Sequence, residues 1–433
     1  MPDSDADNIE GGTLTPPGYR ARVVHHDLRS ALAASAAVVV EGPRGCGKTW
    51  TSKHFARSEV LFEQDPSARL ASSVVPQTVL EGAVPRLLDE WQLAPDVWPH
   101  VRAACDAQPG LSGRFILTGS ATPPDDLTRH SGAGRISRVR MRPMSLLESG
   151  HSTGEVSLGG LLNGAACEAA STGIDVEGIA EISCRGGWPR LLGQDAATAQ
   201  RALRDYLDEI CRVDVSAVDG VRRDPEGVHR LITSLARNVA TTVSVNKLAA
   251  EAGPADGLHR TTAGSYLSAL RRLFVVEDLP HWRTHLRSRA TLASTPKRHF
   301  VDPSLAAAAL RAPPGRLLGD LPAFGFLFES LVVRDLRVYA QANDATVWHY
   351  RDSDHLEADA IVEAGDGRWI AVEVKLGSAE GIDDAARSLL RLAAKVDADR
   401  VGAPSKLVVI TASGYSYDRP DGVAVVPVSA FAP

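Results

Sequence analysis

The chain has 433 residues, 44% of them hydrophobic and 23% charged, with a formal net charge of −6. At roughly 100–200 residues per domain this predicts two to four domains, each able to bury a core. A net negative chain is not a general binder of polyanions, so any nucleic-acid contact must come from a local basic patch.

Residues 1–18, acidic and rich in Gly and Pro, read as a disordered arm and not as a signal peptide. No apolar run approaches the roughly 18–20 residues of a membrane span. The five cysteines, Cys46, Cys105, Cys167, Cys184 and Cys211, are odd in number and contain no C-x-x-C pair. That argues against a disulfide framework and a structural zinc site and for reduced thiols. The expected location is cytoplasmic.

Residues 19–158 alternate strand and helix. Ala36–Glu41 is a short apolar strand, Thr49–Arg57 a helix, Glu59–Phe62 a second strand and Arg114–Thr118 a third. Such alternation predicts a parallel sheet covered on both faces. Between the first strand and helix lies Gly42-Pro43-Arg44-Gly45-Cys46-Gly47-Lys48-Thr49, which matches G-x-x-x-x-G-K-[ST]. The glycines let backbone N–H groups turn toward phosphate oxygens, Lys48 brings positive charge to the β- and γ-phosphates, and Thr49 offers a hydroxyl to Mg²⁺. The ligand predicted is ATP with Mg²⁺.

A P-loop enzyme also needs acidic groups for the metal and the water. Leu87-Leu88-Asp89-Glu90 supplies them: Asp89 for Mg²⁺, Glu90 to polarise the attacking water. The strand leading to this pair is weak, because Pro85 limits pairing. Leu117-Thr118-Gly119-Ser120 ends the third strand with polar groups, and Thr118 or Ser120 is a candidate γ-phosphate sensor. An ordinary turn is the alternative.

Residues 159–224 read as a helical lid or connector, broken at Gly186-Gly187-Trp188-Pro189, with Trp188 as a packing anchor. Residues 225–314 read as a winged-helix-like module: helices Val228–Asn238, Val245–Ala252 and Thr261–Leu273 have apolar residues at helical spacing, and Phe274–Leu279 and His299–Val301 are the expected wing strands. The loop between them, 282–298, carries Arg283, His285, Arg287, Arg289, Lys297 and Arg298. It can meet phosphates or be only a solvated face, since fold alone does not set function.

The Pro/Gly-rich stretch Ala312–Pro322 marks the boundary before residues 315–433. Here a helix Phe324–Tyr339 carries Glu329. Asp359 precedes Glu373 by fourteen positions, and Glu373-x-Lys375 closes the pattern. Glu373 and Lys375, at i and i+2, share one face of a strand. Asp359 and Glu373, with Glu329, are candidates to cup a second divalent ion, and Lys375 to orient or help deprotonate a water. An ion pair at a solvated strand edge is the alternative. A helix around Asp383–Val396 and a strand Leu407–Thr411 complete the expected α/β order.

GPRGCGKT, LLDEWQ-x-x-P, FILTGSAT, Gly134-Arg135 and Arg142-Pro143-Met144-Ser145-Leu146-x-Glu148 follow in order. Together they resemble a large family of uncharacterised prokaryotic AAA-type ATP-binding proteins, whose C-terminal domain of unknown function is similar to restriction endonucleases. The resemblance spans the chain from about residue 20. It implies an α/β chain: an AAA-type P-loop ATPase core (19–158), the helical lid, the winged-helix module and a restriction-endonuclease-like domain (315–433). It also implies that Arg135 lies near the γ-phosphate, within the subunit or reaching a neighbour, where an arginine stabilises transition-state charge.

The functional expectation is a Mg²⁺-dependent ATPase whose nucleotide state acts on a C-terminal half that binds DNA or a protein partner. Two alternatives stand beside it: a metal-dependent DNA nuclease regulated by ATP, and an ATP-gated protein-binding switch that does not hydrolyse.

Overall fold

The computed structural model describes residues 14–121, 133–167, 173–253, 257–282 and 295–433. The chain forms two compact units: residues 1–142 with the short pieces 216–221 and 272–274, and the remainder. Among the described residues no helix is long and apolar enough to cross a membrane.

The first unit is built on five strands: β1 (Ala37–Glu41), β2 (Ser58–Leu61), β3 (Arg86–Asp89), β4 (Phe115–Gly119) and β5 (Ile136–Arg140). All pair in parallel, in the order β2-β3-β4-β1-β5. The run Val38-Val39-Val40 is apolar throughout because both faces are covered. Val38 and Val40 pack with Leu28 of helix α1 (His25–Ala34) and Phe55 of helix α2 (Lys48–Phe55). Ala37 and Val39 face the other way, toward Trp91, Trp98 and Val101. The weak-looking strand β3 is interior, paired on both sides, with its Leu87 and Leu88 fully buried. Pro85 sits one residue ahead of it, where its carbonyl still accepts from the Arg57 N–H at 2.8 Å. The proline precedes the paired residues of β3 and contributes its carbonyl, so its missing N–H does not interrupt them.

The second unit contains a short parallel pair, β6 (Val156–Ser157) with β13 (Phe431–Ala432), and a six-stranded mixed sheet. The sheet comprises β7 (Ala345–Arg351), β8 (Glu357–Ala364), β9 (Trp369–Lys375), β10 (Lys406–Thr411), β11 (Tyr417–Asp418) and β12 (Val423–Pro427), in the order β11-β12-β10-β9-β8-β7. β7, β8 and β9 form an antiparallel meander, and β9, β10 and β12 are parallel. The amphipathic helix Ala379–Lys395 lays Ala385, Ala386, Leu389 and Leu392 on this sheet. The helix Leu321–Gln341, buried along most of its length, packs against β7, β8 and β9. Ahead of them, the helices Pro225–Arg237, Val245–Ala252 and Arg260–Arg272 occupy the three predicted positions. The two expected wing segments meet through an isolated antiparallel bridge, Val276 with Phe300, and a second bridge joins Leu279 to Lys297, ahead of the second segment.

A buried ion network ties this unit together. Arg334 is 2.9 Å from Asp302 and 2.6 Å from Asp335. Asp302 also accepts the Gly187 N–H at 3.0 Å, and Asp335 the Leu146 N–H at 3.0 Å. This explains two sequence elements. Gly187 lies against the Met144 backbone so closely that a Cβ there would fall 1.9 Å from the Met144 carbonyl oxygen. Ser145 and Glu148 form a capping box at the start of a short helix.

Candidate functional site

In the first unit the strand order does the assembling. β4 lies between β1 and β3, so the loop leaving β1 and the acids ending β3 flank the end of β4. Ligands of open α/β sheets bind at this carboxyl edge. Gly45 and Gly47 have φ of +81° and +104°, left-handed conformations that a side chain resists. Gly42 lies against the Met141 carbonyl, where a Cβ would come within 2.1 Å. The Lys48 ammonium is buried and donates to the carbonyls of Gly42 and Pro43 at 3.0 and 2.9 Å. Cys46 is buried, its Sγ 3.8 Å from the Met141 carbonyl.

Thr49 Oγ1 donates to Asp89 Oδ1 at 2.9 Å, and Thr118 Oγ1 donates to the same oxygen at 2.6 Å. Burial pushes the Asp89 carboxyl above its ordinary range, against the hydrogen bonds from Thr118 and Thr49. A hydroxyl beside a carboxylate is an all-oxygen donor set, which suits a hard divalent ion. The residues present therefore fit Mg²⁺.

Glu90 follows in a left-handed conformation, φ +53°, an uncommon one for a side-chain-bearing residue. Its N–H donates to Thr118 Oγ1 at 3.0 Å and its carboxylate accepts from Ser120 at 2.8 Å, with Gln92 on the other oxygen. Thr118 is fully buried, its hydroxyl donating to Asp89 and accepting from the Glu90 N–H. Ser120 is likewise turned to Glu90.

Arg135 is not where the resemblance put it within a subunit. Its carbonyl accepts from Ala37 N–H, at the start of β1, whereas the P-loop follows the end of that strand. Five residues of strand separate the two ends, roughly 16 Å, and the Arg135 guanidinium is half-exposed against Asp106. At the P-loop end the sequence reading missed Arg22. Its guanidinium donates to the Cys46 carbonyl at 2.9 Å and to the Arg142 carbonyl at 2.8 Å. No motif announces it, because it binds through backbone oxygens.

In the second unit Glu329, Asp359, Glu373 and Lys375 do come together, around a residue assigned elsewhere. Lys297 Nζ lies 2.6 Å from Glu329 Oε1 and 2.9 Å from Asp359 Oδ1. The second Asp359 oxygen accepts the Val374 N–H at 2.9 Å, and Lys375 Nζ is 2.9 Å from Glu373 Oε2. Burial, then the Asp359 charge, pushes both Glu329 and Glu373 up to about 8. Burial works against the Asp359 charge, but Lys297 and Lys375 hold its carboxyl below the usual range. Among the described residues, no group of three or more His, Cys, Asp or Glu side chains is arranged to hold a metal ion. The expected second metal site is thus not supported by this geometry: an ammonium lies among its carboxylates.

The basic loop also changes character. Trp282 is buried against Trp369, with ring centroids 4.6 Å apart, Lys297 is buried among carboxylates, and Arg298 is buried 2.7 Å from Asp278. Arg283, His285, Arg287 and Arg289 lie outside the described residues.

Comparison with known proteins divides the chain into three matched regions. Residues 176–316 match a domain of unknown function (DUF8612) and residues 324–431 another (DUF4143). Uncharacterized proteins of Mycobacterium bovis and Mycobacterium tuberculosis are each 27% identical over 407 residues, 92% of this chain and 82% of theirs. Among solved structures, a Walker-type ATPase of Pyrococcus abyssi is 12% identical, with a TM-score of 0.42, covering 70% of this chain and 99% of that one. A replication initiator DnaA bound to AMPPCP and single-stranded DNA is 13% identical, with a TM-score of 0.27, covering 57% and 86%. Residues 34–149, which hold the P-loop, Asp89 and Thr118, match an AAA domain, and this match supports an ATP-binding P-loop ATPase unit.

Proposed function

We propose that the chain hydrolyses ATP at the P-loop and that its nucleotide state governs binding of DNA or a protein partner by the C-terminal half. The observation that carries the first part is the convergence of Thr49 and Thr118 on one oxygen of Asp89, with Glu90 next in the chain and bonded to Ser120. Thr49 and Asp89 would hold Mg²⁺, which neutralises charge on the phosphates when bound. Lys48, whose ammonium rests on loop carbonyls in this structure, would exchange them for phosphate oxygens. Glu90 would accept a hydrogen bond from the attacking water and orient it, as a general base does.

For the second half we read residues 225–314 as a winged-helix-like module and 315–433 as restriction-endonuclease-like. The three helices, the bridged wing segments and the sheet carrying Asp359 and Glu373 support that reading. Arg283, Arg287 and Arg289 are the candidate phosphate contacts. Nucleotide control requires different affinities in the two states, since a ligand that binds both equally shifts neither. The test is duplex DNA affinity at one fixed salt concentration, with Glu90→Gln loaded with ATP and wild type loaded with ADP. Unequal affinities support control through DNA. Equal, measurable affinities refute it, and no binding in either state directs the search to a protein partner.

A further inference from the structure

Glu329, Asp359 and Glu373 sit on three different elements, the helix Leu321–Gln341, β8 and β9. They meet as a cation site does, but a cation is already covalently present. The Lys297 ammonium bridges Glu329 and Asp359 at 2.6 and 2.9 Å, at 6% exposure for the residue. Its backbone is pinned: Lys297 N–H donates to the Leu279 carbonyl at 3.0 Å and its own carbonyl accepts from Leu279 N–H at 2.8 Å. Leaving the cluster would strand the buried Asp359 carboxylate and a buried ammonium at once, the costly way to break an ion pair.

We propose that Lys297 is a built-in counter-cation standing where a nuclease-type site takes a divalent metal, so that this sheet does not carry out metal-dependent phosphodiester cleavage. A divalent ion needs carboxylate oxygens at about 2.0–2.6 Å, and those of Glu329 and Asp359 that face the cluster are held by Lys297. The remaining Asp359 oxygen is committed to the Val374 N–H, and Glu373 is paired with Lys375. An incoming ion would meet two ammonium groups, and like charges at this range repel strongly away from bulk water. Access is not the obstacle. Lys297, Glu329 and Asp359 line a cleft of about 190 Å³ together with His349, Tyr350 and Arg351. This inference concerns the second unit alone and stands whether or not ATP is hydrolysed.

The test is Mn²⁺ binding to the full-length, nucleotide-free protein by calorimetry, which reads the site without any activity. Wild type and Asp359→Asn should give the same isotherm, with no Asp359-dependent site. Lys297→Met should gain one Mn²⁺ per chain, bound at least about tenfold more tightly than by wild type, and lose it again in the Lys297→Met, Asp359→Asn double variant. A wild-type Mn²⁺ site abolished by Asp359→Asn would overturn the proposal. So would a folded Lys297→Met that gains no site. Should that variant not fold, the comparison of wild type with Asp359→Asn decides alone.

Discussion

Thr118 Oγ1 lies 2.6 Å from Asp89 Oδ1 and accepts the Glu90 N–H at 3.0 Å, so one buried hydroxyl sets the positions of both acids. Thr118→Val keeps the shape and removes both bonds. A buried group left unsatisfied costs about 1–3 kcal/mol, so thermal stability should fall modestly. ATP turnover should fall at least about tenfold, because misplacing the acids by an ångström costs up to about 10²-fold. Full turnover in Thr118→Val would show that the hydroxyl only fills space.

Gly42→Ala probes the loop itself. The added Cβ would fall 2.1 Å from the Met141 carbonyl oxygen, and neither backbone can yield cheaply. The expected result is loss of ATP binding, read by fluorescent-nucleotide titration, in a protein whose second unit still unfolds normally. Gly110→Ala, with nothing within 4 Å of the new atom, is the matched control.

Arg334→Met tests the ion network of the second unit. It leaves Asp302 and Asp335 buried without their common partner, and removing one member of a buried pair costs about 3–5 kcal/mol. Denaturant unfolding should show that loss. A change below about 1 kcal/mol would mean that the N–H donors of Gly187 and Leu146 suffice to hold the two acids.

The pH dependence of stability should show a plateau at mildly acidic pH, between 4.5 and 6.5, by opposing causes. Glu329 and Glu373, pushed up to about 8 from an ordinary 4.5 by burial and then by Asp359, hold protons in the native state that the unfolded chain releases. Stability therefore falls as pH rises toward 8. Burial drives His349 down to about 3, and His299 well below its ordinary 6.5. Below pH 6.5 the unfolded chain takes up protons the native state refuses, which offsets the glutamates down to 4.5 and makes stability fall below that. Thermal unfolding from about pH 3.5 to about pH 9 checks both limbs. Glu329→Gln should flatten the alkaline limb, and an unchanged slope there would remove Glu329 from the account.

What the sequence made legible was local. The P-loop, the acids of β3 and the apolar run of β1 are contiguous patterns whose physics acts over a few residues. Pro85 misled because its position relative to the ladder, one residue outside β3, is a register fact. The placement of Arg135 within the subunit failed for a similar reason. Motif order does not say which end of a parallel strand a residue occupies, and Gly134-Arg135 precedes β5, at the opposite end of β1 from the P-loop. Lys297 was read as one of a run of basic residues. Its burial between Glu329 and Asp359 depends on contacts 32 and 62 positions away, which no window on the chain can register. Arg22 escaped because its partners are carbonyl oxygens, present at every residue.

Hydrolysis at the P-loop is read by steady-state phosphate release from ATP and Mg²⁺, in wild type, Lys48→Ala and Glu90→Gln, with ATP binding measured in parallel. Wild type should turn ATP over steadily. Lys48→Ala should lose about 10²- to 10³-fold, as when a group that stabilises transition-state charge is removed. Glu90→Gln should lose about 10²- to 10⁴-fold while still binding ATP, as when a general base is lost. A wild-type protein that binds ATP without releasing phosphate, or turnover that survives Glu90→Gln undiminished, would contradict hydrolysis at the P-loop with Glu90 as the base.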